Sequence, residues 1–520
     1  MRPLRYAVVC SGPLLPAWQV ACLRHLVEET GVRPEVRVRS EGAPPDGGTL
    51  WSWYRRVVAP RRVGALRAAS ARGLLEEVPL YRGGDLPLDF VLALAPGPVP
   101  PEWVARARYG VWAFHFGDPE RDPGPPPDFW APYEGAAVTG AFLHRVVPGT
   151  PVGPILRAGW FPTEAVALDR ALVASARWPA RVCRDLARGE ADYLHEGPQE
   201  EPADRSTAPS RAQTLGLLGR RGGAFLARRA RALVTEERWH IGLIHQPLHT
   251  LLEAEATPPV TWLPPVSRNH YIADPFGIVE GGRLTVLCEV YDWRREIGEI
   301  AALTPERGGA WSMRTVLTAE HHLSYPFLLR HEGEIWMVPE SAGAGEIALY
   351  RAIDFPDRWE KEAVLVPDFA GADATVFRHE GRWWMLATDG ALEPVHELHA
   401  FHADDLRGPW TPHPDNPVKV DVRSSRGGGT PFVHRGRLYR PAQDGSVRYG
   451  GAVTINEIEA LTPSTFRERP VRTLRPDPGN PLGLHTLSAA GDLTLVDGLG
   501  RAVVPARIGH ELRAALHRRP

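Results

Sequence analysis

One sequence phrase is written five times between residues 268 and 500, and the fold must accommodate that repetition. Each copy has a short apolar strand, a polar turn, a second apolar strand and a closing acid. The copies read ADPFGIVEGGRLTVLCE, LSYPFLLRHEGEIWMVPE, DATVFRHEGRWWMLATD, GTPFVHRGRLYRPAQD and, more weakly, LHTLSAAGDLTLVD. Their reference hydrophobes are Phe276, Phe327, Phe377, Phe432 and Leu487, giving steps of 51, 50, 55 and 55 residues. The closing acids are Glu289, Glu340, Asp389, Asp444 and Asp497. Repeats of ~40–50 residues with about four strands each are propeller blades. Third strands follow in GEIAAL, EIALYRA and ELHAFHA, ahead of Trp311, Trp359 and Trp410. The prediction is a five-bladed β-propeller over residues 239–510. Its first strands ring one funnel, so residues early in each copy face a common site.

At 520 residues the chain is too long for one ordinary domain, and 43% apolar content suffices for packed cores. A net charge of −2 and no basic stripe interleaved with aromatics exclude a nucleic-acid partner. Cys10, Cys22, Cys183 and Cys288 have neither disulfide-framework nor metal-ligand spacing, which predicts free thiols in a reducing compartment. No apolar run approaches the ~20 residues of a membrane span. The expectation is a cytoplasmic protein with no metal and no required cofactor.

The first 160 residues read as α/β. Strands are expected at 6–10, 36–38, 89–94 and 110–115, and helices at 17–28, 62–77 and 103–108. That alternation predicts a parallel sheet with helices on its faces. Residues 109–156 resemble the methionyl-tRNA formyltransferase family: His115 matches its histidine and Thr139-Gly140 its Thr-Gly. The resemblance implies a Rossmann-like formyltransferase fold. Ala113 stands where that family has an oxyanion-holding Asn, and Pro151 where it has an Asp that tunes the His. The site is therefore read as degenerate, with His115 and a substitute partner in Asp118. An amino-sugar N-formyltransferase with a folate donor is the alternative. Residues 161–238 form a helical connector with a flexible polar loop at 190–210. Residues 211–237 are a basic amphipathic helix, packed between domains, or touching a membrane surface or binding phosphate. A strand at 240–246 is expected to close the ring against the last blade.

Two aspartates stand early in their copies. The phrase from His270 through Asp274-Pro275-Phe276 is similar to the first blade of the arabinanase and β-xylosidase type of five-bladed glycoside hydrolases. The phrase from Asp373 to Phe377 is similar to their third. The resemblance implies that Asp274 is the catalytic base and that Asp373 orients and tunes the acid. The acid's position in the fourth blade, two before Pro431, is Gly429. A hydrolase needs that second carboxyl to protonate the leaving oxygen. A sugar nucleotide instead releases a stable diphosphate and needs charge stabilisation. Arg423, Arg426 and the glycines at 427–429 offer cations and an anion nest there, which points to glycosyl transfer.

Residues 425–462, with HLSYPFLLRHEGEIWMVPES and ADPFG, resemble the propeller part of plant glucosamine inositolphosphorylceramide transferases and their bacterial relatives. The resemblance implies a glycosyltransferase-like enzyme with a sugar-nucleotide donor and a glycan or lipid-linked acceptor. His270, Tyr325, Glu340, Arg440, Gln443, Asp444, Tyr449 and His485 are the further substrate-binding candidates. Glu289, Asp389 and Asp497 are expected to cap the turn after each second strand. The alternatives are a hydrolase with its acid relocated to Glu340 or Asp444, and a non-catalytic glycan-binding propeller.

Overall fold

The computed structural model describes residues 4–40, 50, 53, 63–95, 101–118, 129–148, 152–163, 167–195, 209–232, 235–254, 257–265, 267, 269–391 and 397–503. Pro151 and residues 196–208 of the expected loop lie outside them. Along the chain there are two compact units, residues 1–224 and 225–520.

The first unit is built on β1 (Tyr6–Cys10), whose five residues are all buried. It is followed by α1 (Ala17–Thr30), β2 (Pro34–Arg39), β3 (Phe90–Ala93), α2 (Pro101–Arg106) and β4 (Val111–Phe116). Then come α3 (Trp130–Glu134), β5 (Val138–Arg145), β6 (Ile155–Pro162), α4 (Ala167–Ser175), α5 (Trp178–Arg188) and α6 (Arg211–Ala232). Among the described residues the main sheet has six strands in the order β2-β1-β3-β4-β5-β6. The first four pair in parallel, and β5 and β6 run antiparallel. The four strands expected from the sequence are the parallel ones, and β5 and β6, which were not expected, make the sheet mixed. Only residues 146–154 separate β5 from β6, too few for the crossover that a parallel pair requires. Tyr6, Phe90 and Trp112 stack across β1, β3 and β4 at 4.8 and 4.0 Å and anchor the core.

The helix expected at 62–77 is not present in its described part, residues 63–77. That stretch holds a 3₁₀ turn (Gly64–Leu66), a strand (Ala68–Ser70) and one helical turn (Arg72–Leu75). The strand pairs with Leu14–Pro16, and Asp169 accepts the Ala65 N–H at 2.7 Å. These tertiary partners outweigh the helix propensity of an Ala- and Arg-rich run. All four cysteines are free and buried. No helix among the described residues is long and apolar enough to cross a membrane.

The second unit is the propeller. Among its described residues five sheets succeed one another; three take all their strands in sequence order, and in the third blade Lys419–Val420 pairs back on Glu397–Ala403. The first strands of blades one to four are His270–Glu280, Ser324–His331, Gly371–His379 and Phe432–His434. The fifth blade joins both ends of the unit. Its strands Leu487–Ala490 and Leu493–Val503 continue into Thr235–Ile244 and Thr261–Trp262. Leu493–Val503 pairs with Thr235–Ile244 over ten positions, Thr494–Val503 against Ile244–Thr235, so the strand expected before the first repeat closes the ring. The core lies between blades. Trp336 of blade two packs with Val376 and Trp383 of blade three, all buried. Each blade is covered on both faces, which is why second strands such as Arg283–Asp292 read as near-continuous apolar runs. Burial of each such side chain contributes ~1.5–3 kcal/mol.

Candidate active site in the funnel of the propeller

The first three blades break their inner ladder at the same place. Pairing passes from Ala273–Glu289 to Phe276–Leu287, from Ser324–Glu340 to Phe327–Val338, and from Ala372–Thr388 to Thr375–Leu386. The skipped residues Asp274, Tyr325 and Asp373 have φ of +52°, +42° and +49°. These are β-bulges, which re-aim a side chain. A left-handed non-glycine costs ~1–3 kcal/mol and persists where the surroundings over-determine it. Part of that support comes from the neighbouring blade. Asp497 Oδ2 accepts the Asp274 N–H at 3.1 Å, and Glu340 Oε2 accepts the Asp373 N–H at 3.2 Å. The register also moves the third copy's reference residue from Phe377 to Thr375. Asp274 and Asp373 are thus equivalent positions, not residues at different offsets.

Around these bulges the funnel assembles a charged cluster. The buried Asp373 carboxylate accepts the Arg426 Nε–H, and Gln443 Nε2 donates to the same oxygen at 2.7 Å. Arg426 Nη2 lies 3.4 Å from Glu340 Oε2, and the guanidinium sits 5.0 Å over the Tyr449 ring. Asp274 accepts the Thr486 hydroxyl at 2.9 Å and lies 3.7 Å from His485 Nδ1. His485 Nδ1 is 2.5 Å from Asp497 Oδ2. His322 Nε2 is 3.2 Å from Glu289 on the adjoining wall. Tyr449 is 53% exposed, so this cluster opens to solvent.

Burial and the facing charges set the proton affinities. Burial pushes Asp274 up to about 7, reinforced by Asp373, Asp497 and Glu289 and opposed by His485. Burial and Asp373 hold the Glu340 carboxyl well above the usual range despite Arg426. Burial works against the His485 imidazolium, but Asp497, Asp274 and Asp373 raise it to about 9. Asp373, Tyr449 and Glu340 keep Arg426 charged against the cost of its burial. At neutral pH the funnel therefore holds a carboxyl that can give a proton, Glu340, and one poised to take a proton, Asp274.

The structure brings together Asp274, Asp373, Glu340, Arg426, Gln443, Tyr449 and His485 from the sequence candidates. Others are corrected. The anion nest is absent at Gly428 and Gly429, because their N–H groups donate to Pro441 O at 3.2 Å and Tyr325 Oη at 2.8 Å. The glycines answer to space instead. A Cβ on Gly427 would lie 2.5 Å from Asp373 O, and one on Gly429 1.8 Å from Leu487 O. No glutamate side chain fits that backbone, so the acid position is closed. Tyr325 is fully buried and forms floor, not substrate-facing surface. Arg440 is buried in a bidentate pair with Glu468, at 2.6 and 3.0 Å. Arg423 pairs with Asp421 at 2.9 Å, and Asp444 caps the Ser446 N–H at 2.9 Å. His270 is 2.7 Å from Ser267 Oγ and 3.6 Å from Asp292, at the start of its strand. Of the closing acids, Asp389 caps a turn at Ala391, while Glu340 and Asp497 hold the next blade's bulge. Asp497, Thr486 and Trp239, which stacks on His485 at 3.8 Å, were not among the sequence candidates.

Among the described residues Asp274, His485 and Asp497 are close enough to hold a metal ion, with ligand atoms within 4.8 Å. Their mutual contacts fit a shared proton instead. Asp497 already accepts three backbone N–H groups and faces the His485 nitrogen.

In the first unit His115 lies on β4, with Nε2 buried and without a hydrogen-bond partner among the described residues. Burial depresses it to about 4, against the pull of Asp118, so the ring is neutral at neutral pH. Ala113, two residues earlier on the same strand, carries no group that could hold an oxyanion.

Residues 264–478 match the family model for glucosamine inositolphosphorylceramide transferase 1, N-terminal region. The chain is similar to glucosamine inositolphosphorylceramide transferase 1 of Oryza sativa subsp. japonica. The two are 36% identical over 210 residues, which is 39% of this chain and 28% of the rice protein. The Arabidopsis thaliana protein of that name is 35% identical over 208 residues, 38% of this chain and 27% of its own length. The chain thus spans less than a third of the curated relatives it matches. Among solved structures, a family 117 glycoside hydrolase of Zobellia galactanivorans shares 14% identity at a TM-score of 0.33, over 55% of this chain and 99% of its own. A GH43_1 enzyme from Xanthomonas citri shares 14% identity at a TM-score of 0.34, over 49% of this chain and 92% of its own. At those scores neither likeness bears on the site. Residues 264–478 of the propeller are thus similar in sequence to the N-terminal region of those transferases.

Proposed function

We propose that the propeller is a carbohydrate-active enzyme that transfers a glycosyl group to a hydroxyl acceptor. The observation that carries this reading is the pair of proton affinities in one funnel: Asp274 near neutrality and Glu340 protonated. Asp274 deprotonates the acceptor hydroxyl. Glu340 protonates the leaving oxygen from the second blade, in place of the acid that the fourth blade cannot hold. Asp373, pinned by Arg426 and Gln443, orients Glu340 and the sugar. The curated relatives, whose name is that of a transferase, support transfer over hydrolysis. Water in the acceptor's place would make the same pair a hydrolase.

The electrostatics of the funnel disfavour a sugar-nucleotide donor. Asp274, Glu289, Asp373 and Asp497 and the Glu340 carboxyl face Arg426, His485 and His322, and Arg426 is already paired with Asp373 and held by Glu340. A diphosphate would have to displace one of them. We favour a donor with a neutral leaving oxygen. The acceptor is a glycan or lipid-linked sugar. Exposed Leu215, Phe225 and Leu226 on α6, with Arg221, Arg229 and Arg231, fit an anionic membrane surface. Sedimentation with phosphatidylserine vesicles, lost in Phe225→Asp, would support that contact. For the first unit our reading is a formyltransferase-like domain without the activity; Ala113, which offers no group to an oxyanion, supports the second half of that reading.

The test is a donor panel of aryl glycosides and sugar nucleotides, incubated with an oligosaccharide acceptor and read by mass spectrometry. The expected result is an elongated acceptor from a glycoside, lost in Asp274→Asn and in Glu340→Gln. Sugar nucleotide consumption that persists in Glu340→Gln would overturn the acid assignment. Sugar binding without turnover, unchanged in Asp274→Asn, would make the propeller a binding module.

A further inference from the structure

Asp274 is mounted on the seam of the ring. Asp497, fully buried, gives one oxygen to the backbone N–H groups of His485 and Thr486 at 2.9 and 3.0 Å. Its other oxygen takes the Asp274 N–H at 3.1 Å and faces the His485 Nδ1 at 2.5 Å. One carboxylate therefore fixes the backbone of Asp274, the backbone of the residues that touch its side chain, and the imidazole beside it. Trp239 stacks on that imidazole at 3.8 Å and Tyr449 meets it edge-on at 5.6 Å, so the ring is held in place. Trp239 and Asp497 lie on the two strands whose pairing closes the propeller.

We propose that Asp497 and His485 are positioning residues: Asp497 holds His485 as an imidazolium, and that cation keeps Asp274 ionised and able to accept a proton. This rests on the reading of Asp274 as the base. The groups facing Asp274 most strongly are His485 and Asp497 from the fifth blade, Asp373 from the third and Glu289 from its own blade; Tyr271 and Cys288 of its own blade, His322, Tyr325 and Glu340 at the second and Tyr449 from the fourth also act on it. Most of these are acids, and among the described residues His485, 3.7 Å from the Asp274 carboxylate, is the nearest cation that favours its charged form. His485 itself faces Asp497, Asp274 and Asp373, with Trp239 and Tyr449 against its ring.

The test needs no substrate. The full chain is labelled with ¹⁵N-histidine and ¹³C-aspartate, and imidazole and carboxyl signals are followed from pH 5 to pH 10. Asp274→Asn and His485→Gln assign the two groups. His485 is expected to carry both ring protons at pH 7 and to lose its charge only near 9. The Asp274 midpoint, near 7 in the wild type, should rise by about one pH unit or more in His485→Gln. In Asp497→Asn the His485 midpoint should fall by at least about one unit. A neutral His485 at pH 7, or an Asp274 midpoint unmoved in His485→Gln, overturns the proposal. So does a calcium- or zinc-induced rise in melting temperature that disappears in Asp497→Asn, because the three residues would then hold a metal. If Asp497→Asn does not fold, the His485→Gln titration decides alone. Failure of the titration would leave sugar turnover untouched, and absence of turnover would leave the titration standing.

Discussion

Replacing Arg426 with alanine tests the electrostatic account of the funnel. Arg426 is 15% exposed and pairs with Asp373 and Glu340, which are 3% and 14% exposed. Its removal strands the Asp373 carboxylate and the Glu340 carboxyl beside Asp274. Breaking a buried pair by deleting one partner costs ~3–5 kcal/mol. Two features place this case at the lower end. Gln443 still donates to Asp373 at 2.7 Å, and Glu340 already prefers its proton. We expect about 3 kcal/mol at pH 8, seen as a melting temperature roughly 5–10 °C lower. The loss should depend on pH with a definite sign. Without the arginine's opposing charge, the folded-state proton affinity of Glu340, already held above the usual range by burial and Asp373, rises further above its unfolded value of about 4.3. The folded variant then binds more protons than the unfolded chain, so its stability falls as pH rises through the folded values. The deficit relative to wild type should be large at pH 8 and small at pH 5. Guanidinium denaturation of both proteins at the two pH values measures it. An unchanged midpoint, or a deficit equal at both pH values, would refute the pairing.

Three further outcomes follow from the same geometry. Tyr325→Phe leaves the buried Gly429 N–H without its acceptor and should cost about 1–2 kcal/mol in urea denaturation. Gly429→Ala places a Cβ 1.8 Å from Leu487 O and should abolish soluble protein, whereas Gly436→Ala, at φ +75° with open space, should cost only about 1–2 kcal/mol. Burial alone would raise Glu468, but Arg440 and Lys419 outweigh it and lower its proton affinity. Its contribution is therefore complete above about pH 4.3 and fades as pH falls further. Glu468→Gln should cost about 3–5 kcal/mol at pH 7 and much less at pH 3.

The repeated phrase was enough to read the five blades, the closing strand and the two aspartates at Asp274 and Asp373. Those features are local: a strand, a turn and a charged residue at fixed offsets. The rest depends on partners far along the chain. The third copy was set out of register because a bulge adds residues to one strand, and Thr375, not a phenylalanine, fills the paired position. The glycines at 427–429 look like an anion nest until their neighbours are known. The hydroxyl that takes the Gly429 N–H belongs to Tyr325, 104 residues away. Arg440 and Arg426 are both arginines of the fourth blade. Only the fold shows that Glu468 occupies one, while the other reaches Asp373 in the third blade. Asp497 sits in the weakest copy, and its role depends on residues 223 positions earlier.

The most direct measurement is the pH dependence of glycosyl transfer by the wild type and Asp274→Asn, on whichever glycoside the panel identifies. The wild-type rate should rise with pH through about 7, where Asp274 loses its proton. Asp274→Asn should lose that limb and run ~10²–10⁴-fold slower. A variant that kept the wild-type rate and the same limb would contradict the assignment of the base, and with it the account of the funnel.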